Sequence, residues 1–159
     1  MKVKQTLHIQ WMILRDMPEV LDIEAASFSV PWDEGDFRQH LRQRNCIGMV
    51  AEQDERVVGY MVYELNKTTI HVLNFAVAQE CRRRGIGTSM VDKLKGKLSS
   101  QRRNRLVVNV NEKAVETQVF FRECGFRAVA ILRDYAEDGS TAYTMAYWLR
   151  GMAIPETED

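Results

Sequence analysis

The stretch NFAVAQECRRRGIGTSMVDKLKGKLS, residues 74–99, decides how this chain is read. An apolar strand-like end, Phe75-Ala76-Val77, runs through a short polar loop into Arg82-Arg83-Arg84-Gly85-Ile86-Gly87. Apolar residues then recur at Ile86, Met90, Val91, Leu94 and Leu98, the stripe of an amphipathic helix packed on a sheet. The first turn of a helix presents unpaired backbone amides and a partial positive charge, and glycines let an anionic group approach those amides closely. Three arginines add local positive charge, so the loop is a candidate diphosphate cradle. A dinucleotide fold would need GxGxxG after a parallel strand and an acidic residue about twenty positions on. Here the third glycine is missing and the strands before the loop form a meander. A Walker loop would end in GK[ST], which is also absent.

Outward from that stretch, apolar runs at 46–52, 57–65 and 69–77 are separated by Asp54-Glu55-Arg56 and Asn66-Lys67-Thr68, the pattern of an antiparallel meander. Towards the N-terminus, Leu7, Ile9, Trp11 and Ile13 alternate, which predicts a strand over 6–13. Asp16-Met17-Pro18-Glu19 reads as an N-cap, an early-turn proline and a glutamate three residues on, opening a first helix through Ala25. Pro31 breaks it, and Asp33 caps a second helix whose stripe is Phe37 and Leu41. Towards the C-terminus, 105–111 reads as a strand and 115–124 as a helix ended by Gly125. Strands at 126–132 and 142–149 follow, joined by a turn at Asp138-Gly139. Residues 1–150 are expected to form one domain, and 151–159, ending Pro-Glu-Thr-Glu-Asp, a flexible tail.

Composition narrows the function classes. The chain has 159 residues, with 22 lysines and arginines balancing 22 aspartates and glutamates. No global field draws it to nucleic acid or an anionic membrane. The basic segment Gln101-Arg102-Arg103-Asn104-Arg105 reads as a solvated turn at a helix C-terminus, where cations are favourable. Cys46, Cys81 and Cys124 are scattered and odd in number, which fits neither a disulfide framework nor a zinc site, and no metal is expected. No apolar window approaches a membrane span and MKVKQTLHIQW carries no cleavable leader, so a cytoplasmic location is expected.

With Arg82, Gly85 and Gly87 in a strand–loop–helix setting, the chain resembles the GNAT superfamily of N-acetyltransferases, whose signature is [Q/R]xxGx[G/A]. The resemblance covers nearly the whole chain and is closest to the RimI-type enzymes, which acetylate the N-terminal α-amine of ribosomal proteins. It is carried by Phe28 with Pro31-Trp32 and Phe37, by Asn74-Phe75-Ala76-Val77, by residues 120–126 (FFRECGF) and by Arg133-Asp134-Tyr135. It implies an α+β (α/β/α) fold with a mixed, mostly antiparallel seven-stranded sheet flanked by four helices. It implies acetyl-CoA as the cofactor, with the backbone of Phe75, Ala76 and Val77 pairing with the pantetheine arm as an added strand. The diphosphate would lie over Arg82, Arg83, Arg84, Gly85, Ile86, Gly87 and Thr88, with Ala114 and Phe121 at further cofactor-contacting positions. The acceptor, a peptide or protein N-terminus, would meet Phe28, Val30, Pro31 and Trp32 between the first helices, and Tyr135 in the 135–141 loop. Direct attack of the amine on the thioester carbonyl would transfer the acetyl group, with a backbone amide stabilising the oxyanion.

The resemblance is imperfect where chemistry is expected. Counted from the glycine loop, the general-base glutamate of RimI-type enzymes falls on Asn109, the proton-donating tyrosine on Phe121 and a cofactor-contacting asparagine on Ala114. An amide is no base near neutral pH, and a phenyl ring donates no proton. Three readings follow. His71, in phase with Leu73 and Phe75, supplies the base, as its position matches a tyrosine used through a water by relatives acting on methionine-starting peptides; it is otherwise an ordinary strand histidine. Glu112 and Glu116 are nearby carboxylates that read as solvated surface charge, and Tyr135 either holds the acceptor or closes a turn. In the second reading no strong base is needed. An α-amine of pKa roughly 7.7–8.0 is about a quarter neutral at pH 7.4, a lysine only about 0.1%. The third reading is a non-catalytic acyl-CoA-binding regulatory domain. The acceptor could also be a polyamine or another small amine. Cys124, at a helix C-terminus where the dipole disfavours a thiolate, reads as structural.

Overall fold

A computed structural model describes residues 6–149 and 151. Its elements, in chain order, are β1 (His8–Trp11), α1 (Met17–Ser27), α2 (Glu34–Leu41), β2 (Cys46–Gln53), β3 (Arg56–Leu65), β4 (Thr69–Val77), α3 (Ile86–Lys95), β5 (Arg105–Asn111), α4 (Val115–Glu123), β6 (Arg127–Leu132) and β7 (Ala142–Trp148). Short 3-10 turns span Leu14–Asp16 and Gln79–Cys81. The strands form a seven-stranded sheet in the order β1-β2-β3-β4-β5-β7-β6, mostly antiparallel, as the resemblance implies. All but Gly151 of the expected tail lies outside the described residues. The described residues fall into two compact units, one drawn from Met1–Leu65 with Leu73–Asp92 and the other from Asn66–Val72 with Lys93–Asp159.

In the first unit, β1 pairs antiparallel with β2 and β2 with β3, Val50 facing Tyr60, with a bulge at Ala51/Glu52. Gly59 is favoured by close approach: a Cβ there would lie 3.1 Å from the Ala76 carbonyl oxygen and 3.0 Å from the Met90 sulfur, tighter than ordinary contact. Helix α2 starts as its sequence dictates. Asp33 accepts from the Asp36 amide at 2.8 Å and Asp36 accepts from the Asp33 amide at 3.0 Å, a reciprocal cap. Phe37 on its buried stripe meets Trp32 (ring centroids 5.1 Å apart, 73°) and Tyr60 (5.8 Å, 75°) edge-on.

The cap expected for α1 is not formed. The Asp16 carboxylate turns back to accept from the Ile13 amide at 2.9 Å, closing the 3-10 turn, and Glu19 accepts from the Val57 amide at 3.0 Å. A tertiary partner has taken the glutamate from its local one. Pro18 keeps the first-turn role read from the sequence.

In the second unit, the start of β4 runs parallel to β5 from Thr69↔Arg105 to Val72↔Val108. Strand β7 is antiparallel to both β5 and β6, lying between them, with a bulge at Ala128/Ala130. Helix α4 ends at Gly125 in the left-handed region (φ 95°). The Gly125 amide bonds Arg122 O at 2.9 Å and the Phe126 amide bonds Phe121 O at 3.0 Å. Phe121 is 2% exposed, with its ring edge-on to Phe120 and Phe126. Lys95 sits 4.3 Å from the Tyr147 ring centroid and donates to the carbonyl of Cys124.

Candidate functional site

The glycine loop has the shape its sequence predicts. Arg83 (φ 64°) and Gly85 (φ 81°) take left-handed conformations, turning the chain into α3. The Ser89 amide is the one that reaches back to Gly85 O, at 3.0 Å, so the amides of Ile86, Gly87 and Thr88 precede the helical ladder. Nothing lies within 4 Å of a Cβ built on Gly85, which leaves open space at that turn. Arg83 and Arg84 are exposed and have no carboxylate partner among the described residues. Open space, helix-start amides and uncommitted cations suit a diphosphate. Arg82 also braces the loop: its Nε donates to the Val77 carbonyl at 3.1 Å and its Nη2 to Ser27 Oγ at 3.3 Å, tying the loop to the ends of β4 and α1. Ile86 and Cys81 are buried beneath the loop.

Along β4, Ala76 is buried while Phe75 and Val77 are half-buried. The Phe75 amide donates to Asn74 Oδ1 at 2.9 Å, and Val77 O accepts from Arg82. An added strand would therefore share the second lone pair of Val77 O and compete with Asn74 for the Phe75 N–H.

The expected acceptor loop lies between α1 and α2. Phe28 is 39% and Val30 68% exposed, Pro31 is exposed, and Trp32 is half-buried, stacked on His40 (4.3 Å, 7°) and edge-on to Phe37. The Trp32 amide donates to Glu24 Oε1 at 3.0 Å. The sequence marks Glu24 by nothing beyond its place on the helical stripe, yet it is 2% exposed. Its Oε2 accepts from Asn74 Nδ2 at 2.7 Å and from the Tyr60 hydroxyl. Burial, followed by the bond to Glu24 and its charge, pushes the Tyr60 hydroxyl well above its ordinary pKa and keeps it a donor.

In the second unit, β4 and β5 align His71 with Val107, and Asn109 lies two residues further along β5 on the same face. Both His71 and Asn109 are half-buried. Asn109 Oδ1 accepts from Thr144 Oγ1 at 2.9 Å, and Asn109 Nδ2 lies 3.4 Å from the Tyr135 oxygen. Two of the candidate catalytic residues are thus brought together. Tyr135 is 56% exposed. Ala114 is the N-cap of α4, and Gln118 N–H reaches its carbonyl. Glu112, read as solvated charge, accepts from the Thr141 amide at 3.3 Å, while Glu116 is exposed on α4.

The turn carrying Tyr135 is built around Asp138, which accepts from the Ser140 amide at 2.9 Å, from the Ser140 hydroxyl and from Lys113 at 3.2 Å. These bonds, Ser140 foremost, hold its carboxyl at about 2 against an ordinary 3.8. A depressed pKa stabilises the turn above the unfolded value and is lost as pH falls from 3.8 towards 2. We therefore expect the Ser140 amide to keep its chemical shift down to about pH 3 and to move in a step centred near pH 2, and Asp138→Asn to abolish that step.

Among the described residues no cluster of His, Cys, Asp or Glu could hold a metal ion, and no helix is long and apolar enough to cross a membrane.

The fold and the loop define an acyltransferase class. The chain belongs to the acetyltransferase (GNAT) family, whose sequence model matches residues 17–126 and whose members take the acetyl group from acetyl-CoA. It is 28% identical to an N-alpha-acetyltransferase of Sulfurisphaera tokodaii over 152 residues, 84% of this chain and 87% of that one. It is 32% identical to an uncharacterized N-acetyltransferase of Methanocaldococcus jannaschii over 133 residues, 82% and 85% of the two chains. Its fold matches the ribosomal-protein-S18-alanine N-acetyltransferase of Escherichia coli with a TM-score of 0.80 at 20% identity, covering 97% of this chain and all of the other.

Proposed function

We propose that residues 1–150 act as one transferase domain that moves the acetyl group of acetyl-CoA to the α-amine of a peptide or protein N-terminus in the cytoplasm. The observation that carries the choice of acceptor is Asn109. At the place where RimI-type relatives are expected to hold a glutamate base, this chain holds an amide bonded to Thr144 and near Tyr135. With no carboxylate there, an acceptor that is partly neutral near pH 7.4 is favoured, and an α-amine meets that demand where a lysine does not. The name of the Sulfurisphaera relative points the same way.

In this reading the Ile86–Thr88 amides with Arg83 and Arg84 hold the diphosphate, and Phe75–Val77 align the pantetheine arm. Ala114 and Phe121 shape the cofactor side. Phe28, Val30, Pro31 and Trp32 bound the acceptor, and Tyr135, steadied by Asn109, orients it. A C–N bond forms as the C–S bond breaks; the amine loses one proton and the departing sulfur gains one. His71 is the group on the Asn109 face able to accept that proton near neutral pH.

The test is thiol release from acetyl-CoA between pH 6 and 9, with peptides starting in free Ala, Ser or Met beside N-blocked peptides carrying only lysine. Turnover is expected on free N-termini alone. His71→Ala is expected to flatten the pH profile and lower kcat by roughly 10²-fold. An unchanged profile would remove His71 from the chemistry. Tight acetyl-CoA binding without thiol release on any amine would replace the transferase reading with an acyl-CoA-binding regulatory domain, which the Asn109 and Phe121 positions favour as the second reading.

A further inference from the structure

We propose that Glu24 is a positioning residue that sets the α1–α2 loop and the distal half of β4 in one geometry, so that a single buried carboxylate fixes the acceptor wall and the cofactor strand together. The inference rests on the functional reading above for the roles of those two segments, and on the structure of the first unit for the link between them.

Three donors from three separate segments converge on this side chain. Trp32 N–H, from the α1–α2 loop, takes Oε1 at 3.0 Å. Asn74 Nδ2, from β4, takes Oε2 at 2.7 Å, and the Tyr60 hydroxyl, from β3, takes the same oxygen. Asn74 then passes the constraint on, since its Oδ1 accepts the Phe75 amide at 2.9 Å. A path of four residues therefore runs Trp32–Glu24–Asn74–Phe75.

Such a group is hard to account for as packing alone. A carboxylate 2% exposed carries a large desolvation cost, and among the described residues no cation pairs with it. Its partners are neutral donors. They occupy both carboxylate oxygens with one loop amide and two strand side chains, whereas an isobutyl group of similar volume would carry no desolvation cost. What the carboxylate supplies is direction: two oxygens in one plane, one aimed at the loop and one at the strands. The adjoining Trp32 ring is held as well, between the Phe37 edge and the His40 face, so the loop has little freedom once its amide is bonded.

The test uses the whole chain and three variants. Glu24→Gln keeps the shape and the acceptor for Trp32 but places an N–H₂ against the Asn74 amide donor. We expect faster hydrogen exchange at both the Trp32 and Phe75 amides in the free protein, and KM raised about tenfold or more for both acetyl-CoA and an N-terminal peptide. Asn74→Ala leaves the loop bond in place and is expected to speed exchange at Phe75 but not at Trp32. The double variant Glu24→Gln with Asn74→Asp reverses the donor and acceptor between positions 24 and 74, while leaving an acceptor for each backbone amide. It is expected to recover most of both KM values.

A purely structural Glu24 predicts otherwise. Glu24→Gln would then lower Tm with unchanged KM values and unchanged exchange at the two amides, and the reversed pair would do no better than the single variant. Either outcome overturns the proposal. Should the wild-type chain acetylate no N-terminal peptide, the functional reading fails by itself, and the exchange rates at Trp32 and Phe75 still decide whether Glu24 links the loop to the strand.

Discussion

Gly85→Ala raises the dissociation constant for acetyl-CoA by about 10- to 100-fold, whereas Gly139→Ala leaves it unchanged. Both glycines have φ of 81° and both have room for a methyl group: nothing lies within 4 Å at Gly85, and only an Asp134 oxygen, at 3.9 Å, at Gly139. Their folding costs are therefore matched, about 1 kcal/mol each for an L-residue in the left-handed region. What differs is what the space is for. At Gly85 the methyl would occupy the open approach to the Ile86–Thr88 amides, and weakening one or two charge-assisted hydrogen bonds of about 1.5–3 kcal/mol each gives the expected change. Calorimetric titration of both variants with acetyl-CoA, alongside their melting temperatures, makes the comparison. Equal losses of affinity would show that loop strain, and not access to the amides, governs binding.

Phe37→Ala costs about 3–5 kcal/mol, a large share of the roughly 5–15 kcal/mol that holds a domain together, and lowers Tm by about 10 °C. The ring is fully buried and meets both Trp32 and Tyr60, so its loss leaves a cavity under the α1–α2 loop that two neighbouring rings cannot fill without leaving their own partners. Phe28→Ala, at a site 39% exposed, is the companion measurement and is expected to cost less than about 1 kcal/mol. Similar denaturant midpoints for the two variants would mean that α2 is not anchored through Phe37.

The contrast between those phenylalanines also shows what sequence can and cannot convey. Helix α2 is legible because its determinants are local: a capping aspartate, its partner three residues on, and one buried phenylalanine in phase. The glycine loop is legible for the same reason, with strand end, turn and helix start contiguous over 75–95. The start of α1 misleads because Glu19 has a plausible local partner and a better distant one, the Val57 amide. Glu24 is the clearer case. On the sequence it is one more helical residue, and its donors at Trp32, Tyr60 and Asn74 lie 8, 36 and 50 positions away. No periodicity records such a meeting. Asn109 and Tyr135, 26 residues apart, stand in the sequence as two separate positions of interest, and only the fold brings them together.

Strand β7 pairs with β5 on one side and β6 on the other, although it is the last of the three to be synthesised. Without residues 142–148, β5 lacks a partner on its β7 side and β6 has none at all. Neither can complete its ladder with the other. Strand β6 joins the sheet only through β7, so nothing short of that last strand can hold it there.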